Sequence, residues 1–202
     1  MTDAQLRPFL WMAWLGVITT ALNTGIQLFP PVDGIADWRD KVLLIHAPAT
    51  FFPIVALVLV TWRQSPFAAS TAVGCTFLEK AIEFTGQSLI LFPPQDIARV
   101  AGPDAVGAVW NQMYFTLWWC NTAGATAAGL LMKRLIGGRT GWLAAGTAWG
   151  AGIMTLMLLL ADYGGFEVPF PPGWLFALIF TGYRLSIVRS LAHTGPKTSV
   201  LI

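Results

Sequence analysis

Six long stretches of the chain consist almost entirely of apolar residues, with short polar segments between them. A helix needs about 20 apolar residues to cross the hydrocarbon core of a membrane, and each stretch reaches or approaches that length. The pattern therefore predicts an all-α fold: a polytopic membrane bundle of six transmembrane helices that forms a single domain over residues 1–202. The predicted spans are 8–29, 42–62, 67–92, 106–132, 141–162 and 173–190.

The composition favours the same environment. Hydrophobic residues make up 55% of the chain and charged residues 11%, whereas soluble proteins carry about 25% charged residues. A soluble domain of this length has no core large enough to hide so much apolar surface. The net charge of +2, without a basic run, gives no reason to expect nucleic acid as a partner. The two cysteines and two histidines form no metal-binding or cofactor-binding motif, so we predict neither a metal nor a cofactor.

The cations of the short connections predict the orientation of the chain. Lys and Arg accumulate in cytoplasmic connections. When the six spans alternate in direction, eight of these cations lie on one side and three on the other, so both termini are predicted to be cytoplasmic, in a multi-pass protein of the bacterial inner membrane. The eight are Arg7, Arg63, Lys133, Arg134, Arg139, Arg184, Arg189 and Lys197, and the three are Arg39, Lys41 and Arg99.

Phe-Pro-Pro recurs in all three connections on the opposite side of the predicted membrane. It occurs in LFPPVD (28–33), LFPPQD (91–96) and PFPPG (169–173). Proline lacks the amide hydrogen that a continuing helix needs, so each motif is explained as a helix stop at the membrane surface. The alternative is a two-helix unit that is used three times. The sequence leaves both interpretations open.

Small residues are concentrated in the fourth and fifth spans, in NTAGATAAG (121–129) and AAGTAWGAG (144–152), where Gly146 and Gly150 are four residues apart. Helices in lipid associate through close approach of their backbones, which small residues permit. We therefore expect these two helices to be neighbours. Contact with a second copy of the chain, in a homodimer, is the other use of the same residues.

The third span contains three ionisable residues within the apolar segment FLEKAIEFTGQSLILF (77–92). At a rise of 1.5 Å per residue, Glu83 lies about 6 Å and Gln87 about 12 Å from Glu79 along the helix. Each ionisable group at the membrane centre costs about 2.5–3.5 kcal/mol, and three cost on the order of 8–10 kcal/mol. They are therefore predicted to pair, to lose their charge or to face a polar cavity, with Lys80 as the charge partner of the two glutamates.

Further polar and aromatic residues lie in the same half of the other spans. We predict a pocket that opens toward the outer leaflet, with Glu79, Glu83 and Asp162 as catalytic residues. The alternative is a structural network that fixes the packing of the helices. The predicted substrate-binding residues are Asn23, Gln27, His46, Gln87, Asn111, Tyr114, Trp118 and Asn121.

Two carboxyl groups one turn apart, partly removed from water, favour retention of a proton by one of them. Such a pair suits general acid–base catalysis and equally suits proton carriage in a transporter. The short connections leave no room for a nucleotide site, so the expected partner is a membrane lipid or another small hydrophobic ligand. We favour an acid–base enzyme acting on a lipidic or isoprenoid-like substrate. A small proton-linked transporter and a non-catalytic membrane assembly subunit are the alternatives.

Two segments resemble an uncharacterised family of small bacterial six-helix membrane proteins, known as a domain of unknown function. They are FLEKAIEFTGQSLILF (77–92) and MYFTLWWCNTAGATAAGLL (113–131), with an Arg-containing connection between them. The resemblance extends over residues 8–165. It implies a small helical membrane bundle and no particular activity.

Overall fold

Six α-helices make up the part of the chain that the computed structural model describes, residues 2–26, 35–91, 95–165 and 173–194, and this part contains no strand. At 26, 35–40, 89–91, 95–112 and 162–163 the description is limited to the backbone. The predicted all-helical fold is confirmed. The helices are α1 (Asp3–Ile26), α2 (Ile35–Thr61), α3 (Pro66–Leu91), α4 (Gln95–Ile136), α5 (Gly138–Gly164) and α6 (Gly173–His193).

Three segments of the described helices are long and apolar enough to cross a membrane: Lys41–Thr61 in α2, Gly138–Ala161 in α5 and Gly173–His193 in α6. This is the pattern of a membrane protein. Helix α3 is equally long, but Glu79, Lys80 and Glu83 interrupt its apolar sequence. The crossing of the membrane by all six helices stays a prediction.

The helices form a closed ring of three hairpins. Each helix contacts the next one along the chain, and α1 contacts α6. Within this ring α2, α4 and α6 also contact one another, whereas in the described residues α1, α3 and α5 do not. The second helix of each hairpin therefore lies toward the centre. Whether a two-helix unit is used three times stays a prediction, because the Phe-Pro-Pro motifs lie outside the described residues.

The three inner helices close one end of the bundle with a dry core. Among the most completely buried side chains are Ile54 and Leu57 of α2, Leu131 of α4, and Ile187 and Leu191 of α6, each at most 1% exposed. All five lie in the later parts of their helices, so they meet at the same end of the bundle. Tight apolar packing there leaves the opposite end as the place for a polar site.

Helices α4 and α5 are neighbours, as predicted, and they share the most extensive helix–helix contact. The glycines at which the backbones of α4 and α5 approach each other are not the expected pair, Gly146 and Gly150. A Cβ atom at Gly129 would lie 2.6 Å from the indole nitrogen of Trp149, and one at Gly152 would lie 3.2 Å from a carbonyl oxygen of α4. In contrast, Gly146 faces open space and Gly150 faces α6. A homodimer stays a prediction.

Candidate functional site

A cavity of about 420 Å³ lies in the half of the bundle where α2 and α6 begin and α1, α3 and α5 end. All six helices contribute to its wall. Its described lining residues are Thr20, Asn23 and Thr24 of α1; Leu43 and His46 of α2; Glu79, Lys80, Glu83 and Gln87 of α3; Tyr114, Leu117, Trp118 and Asn121 of α4; Leu158 of α5; and Gly173, Phe176, Phe180 and Arg184 of α6.

The structure brings nine of the twelve predicted site residues together around this cavity. The other three cannot be placed: Gln27 lies outside the described residues, and so do the side chains of Asn111 and Asp162. The catalytic and substrate-binding roles stay predictions. The nine are Asn23, His46, Glu79, Lys80, Glu83, Gln87, Tyr114, Trp118 and Asn121.

Lys80 joins the two glutamates of α3 in one charged cluster. Its Nζ lies 2.7 Å from Glu79 Oε1 and 2.6 Å from Glu83 Oε2, and the three side chains are at most 12% exposed. The side-chain amide of Asn121 donates a second hydrogen bond, of 2.7 Å, to Glu79 Oε1. The predicted charge partner of the glutamates is thus in contact with both of them, and α4 holds the cluster in place through Asn121.

This arrangement differs from the bare carboxyl pair that the sequence suggests. The ammonium group of Lys80 lies between the carboxylates and contacts both. Its positive charge stabilises the two negative charges, whereas two carboxyl groups without a cation would have to share a proton. The other oxygen of Glu83, Oε1, is buried and has no hydrogen-bond partner among the described residues. Glu83 therefore has one oxygen fixed by Lys80 and one that can accept a hydrogen bond or a proton from a ligand.

Arg184 is a site residue, and the prediction that it lies in a cytoplasmic connection is wrong. In the structure it lies within α6, is 5% exposed and lines the cavity. Its guanidinium carbon lies 4.8 Å from the centre of the Tyr183 ring. Position 184 falls inside the predicted span 173–190, and that position was the available signal. With Arg184 counted, the formal charges of Glu79, Glu83, Lys80 and Arg184 add up to zero.

His46 is held by a hydrogen bond between α1 and α2. The ring is 6% exposed, and its Nδ1 lies 3.0 Å from the hydroxyl oxygen of Thr19. The same hydroxyl lies 2.9 Å from the carbonyl oxygen of Leu15. When the hydroxyl donates to that carbonyl, Nδ1 must be the donor to Thr19, which leaves Nε2 of the neutral ring as an acceptor. His46 is in that state a second base on the cavity wall.

Aromatic side chains form the apolar part of the cavity wall. The rings of Phe176 and Phe180 stack with their centres 4.3 Å apart and their planes 20° from parallel. Across the cavity, α4 contributes Tyr114 and Trp118, with ring centres 6.0 Å apart. The two phenylalanines were not among the predicted site residues, because apolar residues of an apolar helix cannot be distinguished from their neighbours by sequence alone. The cavity therefore has a charged region and an aromatic region.

Comparison of the chain with protein-family models, with curated proteins and with solved structures finds no match. The fold and the site define a class in physical terms: an all-helical protein with three helices able to cross a membrane and an internal cavity that contains charged groups. The resemblance to the six-helix family rests on the two quoted segments and stays a prediction.

Proposed function

We propose that the protein crosses the bacterial inner membrane six times, with both termini in the cytoplasm, and acts as an acid–base enzyme on a lipidic or isoprenoid-like molecule bound in the cavity. The observation that carries the proposal is the amphiphilic lining of this cavity, with Glu79, Lys80 and Glu83 in one region and the rings of Phe176 and Phe180 in another. Such a lining suits a substrate with an apolar body and a polar reacting group.

The closed end of the bundle is compatible with an enzyme whose substrate enters and leaves on one side. A carrier must open its binding site to the two sides of the membrane in turn. Here the apolar side chains of Ile54, Leu57, Leu131, Ile187 and Leu191 fill the bundle beyond the cavity. An alternating-access carrier is also closed at one end in each of its states, so the proton-linked transporter stays the second candidate, and the uptake assay below separates the two.

Glu83 is the proposed general base or acid. Its Oε1 has no donor among the described residues, and its Oε2 lies 2.6 Å from the ammonium group of Lys80. That ion pair stabilises the carboxylate before it takes a proton from the substrate. Glu79 receives hydrogen bonds from both Lys80 and Asn121, so its role is to hold Lys80 in position. Asp162 stays a catalytic candidate on sequence grounds.

The test begins with the protein in lipid nanodiscs and with mass spectrometry of the molecules that co-purify with it. The molecule so identified is incubated with the wild type and with Glu83→Gln, which keeps the size of the side chain but removes the base. We expect product formation to fall about 100-fold or more, the usual effect of losing a general acid or base.

Ser88→Ala is the matched control on the same helix. The Ser88 hydroxyl donates to the Phe84 carbonyl oxygen of its own helix, so its loss should leave turnover unchanged. Unchanged turnover in Glu83→Gln would refute the proposed role of Glu83. Uptake of the molecule into proteoliposomes that stops when a protonophore is added would favour the transporter.

A further inference from the structure

We infer that the cavity binds an amphiphile with an anionic head group, a carboxylate or a phosphate, and that Arg184 holds this head group. The inference rests on the proposed function and specifies its substrate class. Arg184 is 5% exposed, its Nε is buried without a hydrogen-bond partner, and the residue forms no ion pair with a carboxylate of the described residues. A buried charge requires a partner of opposite charge, and a ligand in the cavity is in the position to provide one.

The other charges among the described lining residues are already paired. Both carboxylates of the cluster contact Lys80 at 2.6–2.7 Å, so the charge of Lys80 is already compensated without an anionic ligand. The guanidinium group of Arg184 is planar, and its N–H groups match the oxygen atoms of a carboxylate or phosphate in pairs. An anionic head group is therefore expected at Arg184, the cation of the described cavity wall that has no carboxylate partner among the described residues.

The position of Arg184 also places the tail of the ligand. Phe180 and Phe176 precede Arg184 by four and eight residues, so they lie on the same face of α6, and all three line the cavity. Eight residues of helix correspond to about 12 Å. An apolar chain can thus extend from Arg184 along the two stacked rings toward the beginning of α6, which is the end of the bundle opposite the dry core.

The volume of the cavity limits the size of the ligand. At about 30 Å³ for each water-sized volume, 420 Å³ corresponds to roughly 14 such volumes. This suits a head group with a chain of about ten carbon atoms. Two side-chain oxygens, Asn23 Oδ1 and Gln87 Oε1, are buried without hydrogen-bond partners in the described structure. A hydroxyl group of the ligand or a bound water molecule can donate to them.

The test is equilibrium dialysis of isotope-labelled probes against the protein in nanodiscs of zwitterionic lipid, with empty nanodiscs as the blank. The probes are decanoate, decyl phosphate, decanol and inorganic phosphate. We expect the wild type to bind decanoate, decyl phosphate or both at least 10-fold more tightly than decanol. Phosphate alone tests the head group without the tail, and tighter binding of phosphate than of decyl phosphate would overturn the inference.

Three variants separate the role of Arg184 from general damage. Arg184→Gln should abolish the preference for anions and leave the binding of decanol unchanged. Arg184→Lys keeps the positive charge but not the paired N–H groups of the guanidinium, so it should retain a reduced preference for anions. This variant tests the inference if Arg184→Gln does not fold. Arg189→Gln alters an exposed arginine of the same helix and should bind every probe as the wild type does.

Equal affinity for decanol and the anions in the wild type, or a full anion preference in Arg184→Gln, would overturn the inference. Glu83→Gln separates this inference from the proposed enzymatic role. We expect it to retain the anion preference while it loses turnover. If turnover does not depend on Glu83 but the anion preference depends on Arg184, the binding inference holds and the proposed chemistry fails.

Discussion

Replacing Lys80 with methionine gives the most direct test of the charged cluster. Methionine keeps an unbranched side chain of similar length but removes the ammonium group that lies 2.7 Å from Glu79 and 2.6 Å from Glu83. The two carboxylates, 6% and 12% exposed, then have no cation between them. Removing one partner of a buried ion pair costs about 3–5 kcal/mol. We therefore expect Lys80→Met to lower the free energy of unfolding by about that amount.

A second variant shows whether the loss comes from charge or from packing. The triple variant Lys80→Met, Glu79→Gln, Glu83→Gln contains no charge at these positions, and the new amide at 79 can still accept the hydrogen bond of Asn121. Replacement of a whole buried ion cluster by neutral groups is often close to neutral, so the triple variant should recover most of the stability, to within about 1–2 kcal/mol of the wild type.

The assay for both variants is reversible unfolding by sodium dodecyl sulfate in mixed micelles, followed by tryptophan fluorescence and far-UV circular dichroism. Wild-type stability of Lys80→Met would mean that Lys80 does not bridge the carboxylates. A triple variant as unstable as the single one would show that packing, and not the uncompensated charge, accounts for the loss.

Two further predictions use the same unfolding assay. Thr19→Val removes the hydrogen-bond partner of His46 and should lower the free energy of unfolding by about 1–3 kcal/mol. Thr24→Val is the control and should cost clearly less, because the Thr24 hydroxyl bonds to carbonyl oxygens of its own helix. Equal losses in the two variants would argue against the hydrogen bond to His46. Gly16→Ala places a Cβ atom 2.8 Å from a carbonyl oxygen of α2 and should cost about 1–3 kcal/mol. At Gly74 the added atom has nothing within 4 Å, so the control Gly74→Ala should be neutral or stabilising by about 0.5–1 kcal/mol. Wild-type stability of Gly16→Ala would mean that α1 and α2 pack less closely than the structure shows.

The sequence predicted the presence of the helices better than their ends. Helix α4 begins at Gln95, eleven residues before the predicted span 106–132. Apolar residues mark the part of a helix that suits lipid, whereas the helix itself is defined by its backbone conformation and continues through the more polar residues 95–105. Helix α3 is likewise continuous from Pro66 to Leu91. Its ionisable residues lower the hydrophobicity of the segment but do not interrupt the helix.

The polar part of the site was predictable because burial of charge is costly. Glu79, Glu83 and Gln87 follow helical spacing on α3, and Asn121 lies in an apolar part of α4, so these side chains were expected to face a polar site between the helices and not the lipid. The aromatic wall was not predictable in this way. Whether Phe180 faces the cavity and Leu178 faces outward, as the structure shows, depends on how α6 packs against its neighbours, and the sequence of α6 is apolar at both positions.

The zero sum of the four formal charges connects the fold with the proposed chemistry. Glu79 and Glu83 are each within 2.7 Å of Lys80, whereas Arg184 lies on a different helix and lacks a carboxylate partner among the described residues. The formal charges of the described lining residues thus cancel, with the excess negative charge on α3 and the unpaired positive charge of Arg184 on α6. An anionic ligand at Arg184 completes the local pairing on α6. A proton taken up by Glu83 neutralises the excess charge on α3, so ligand binding and proton transfer favour each other electrostatically.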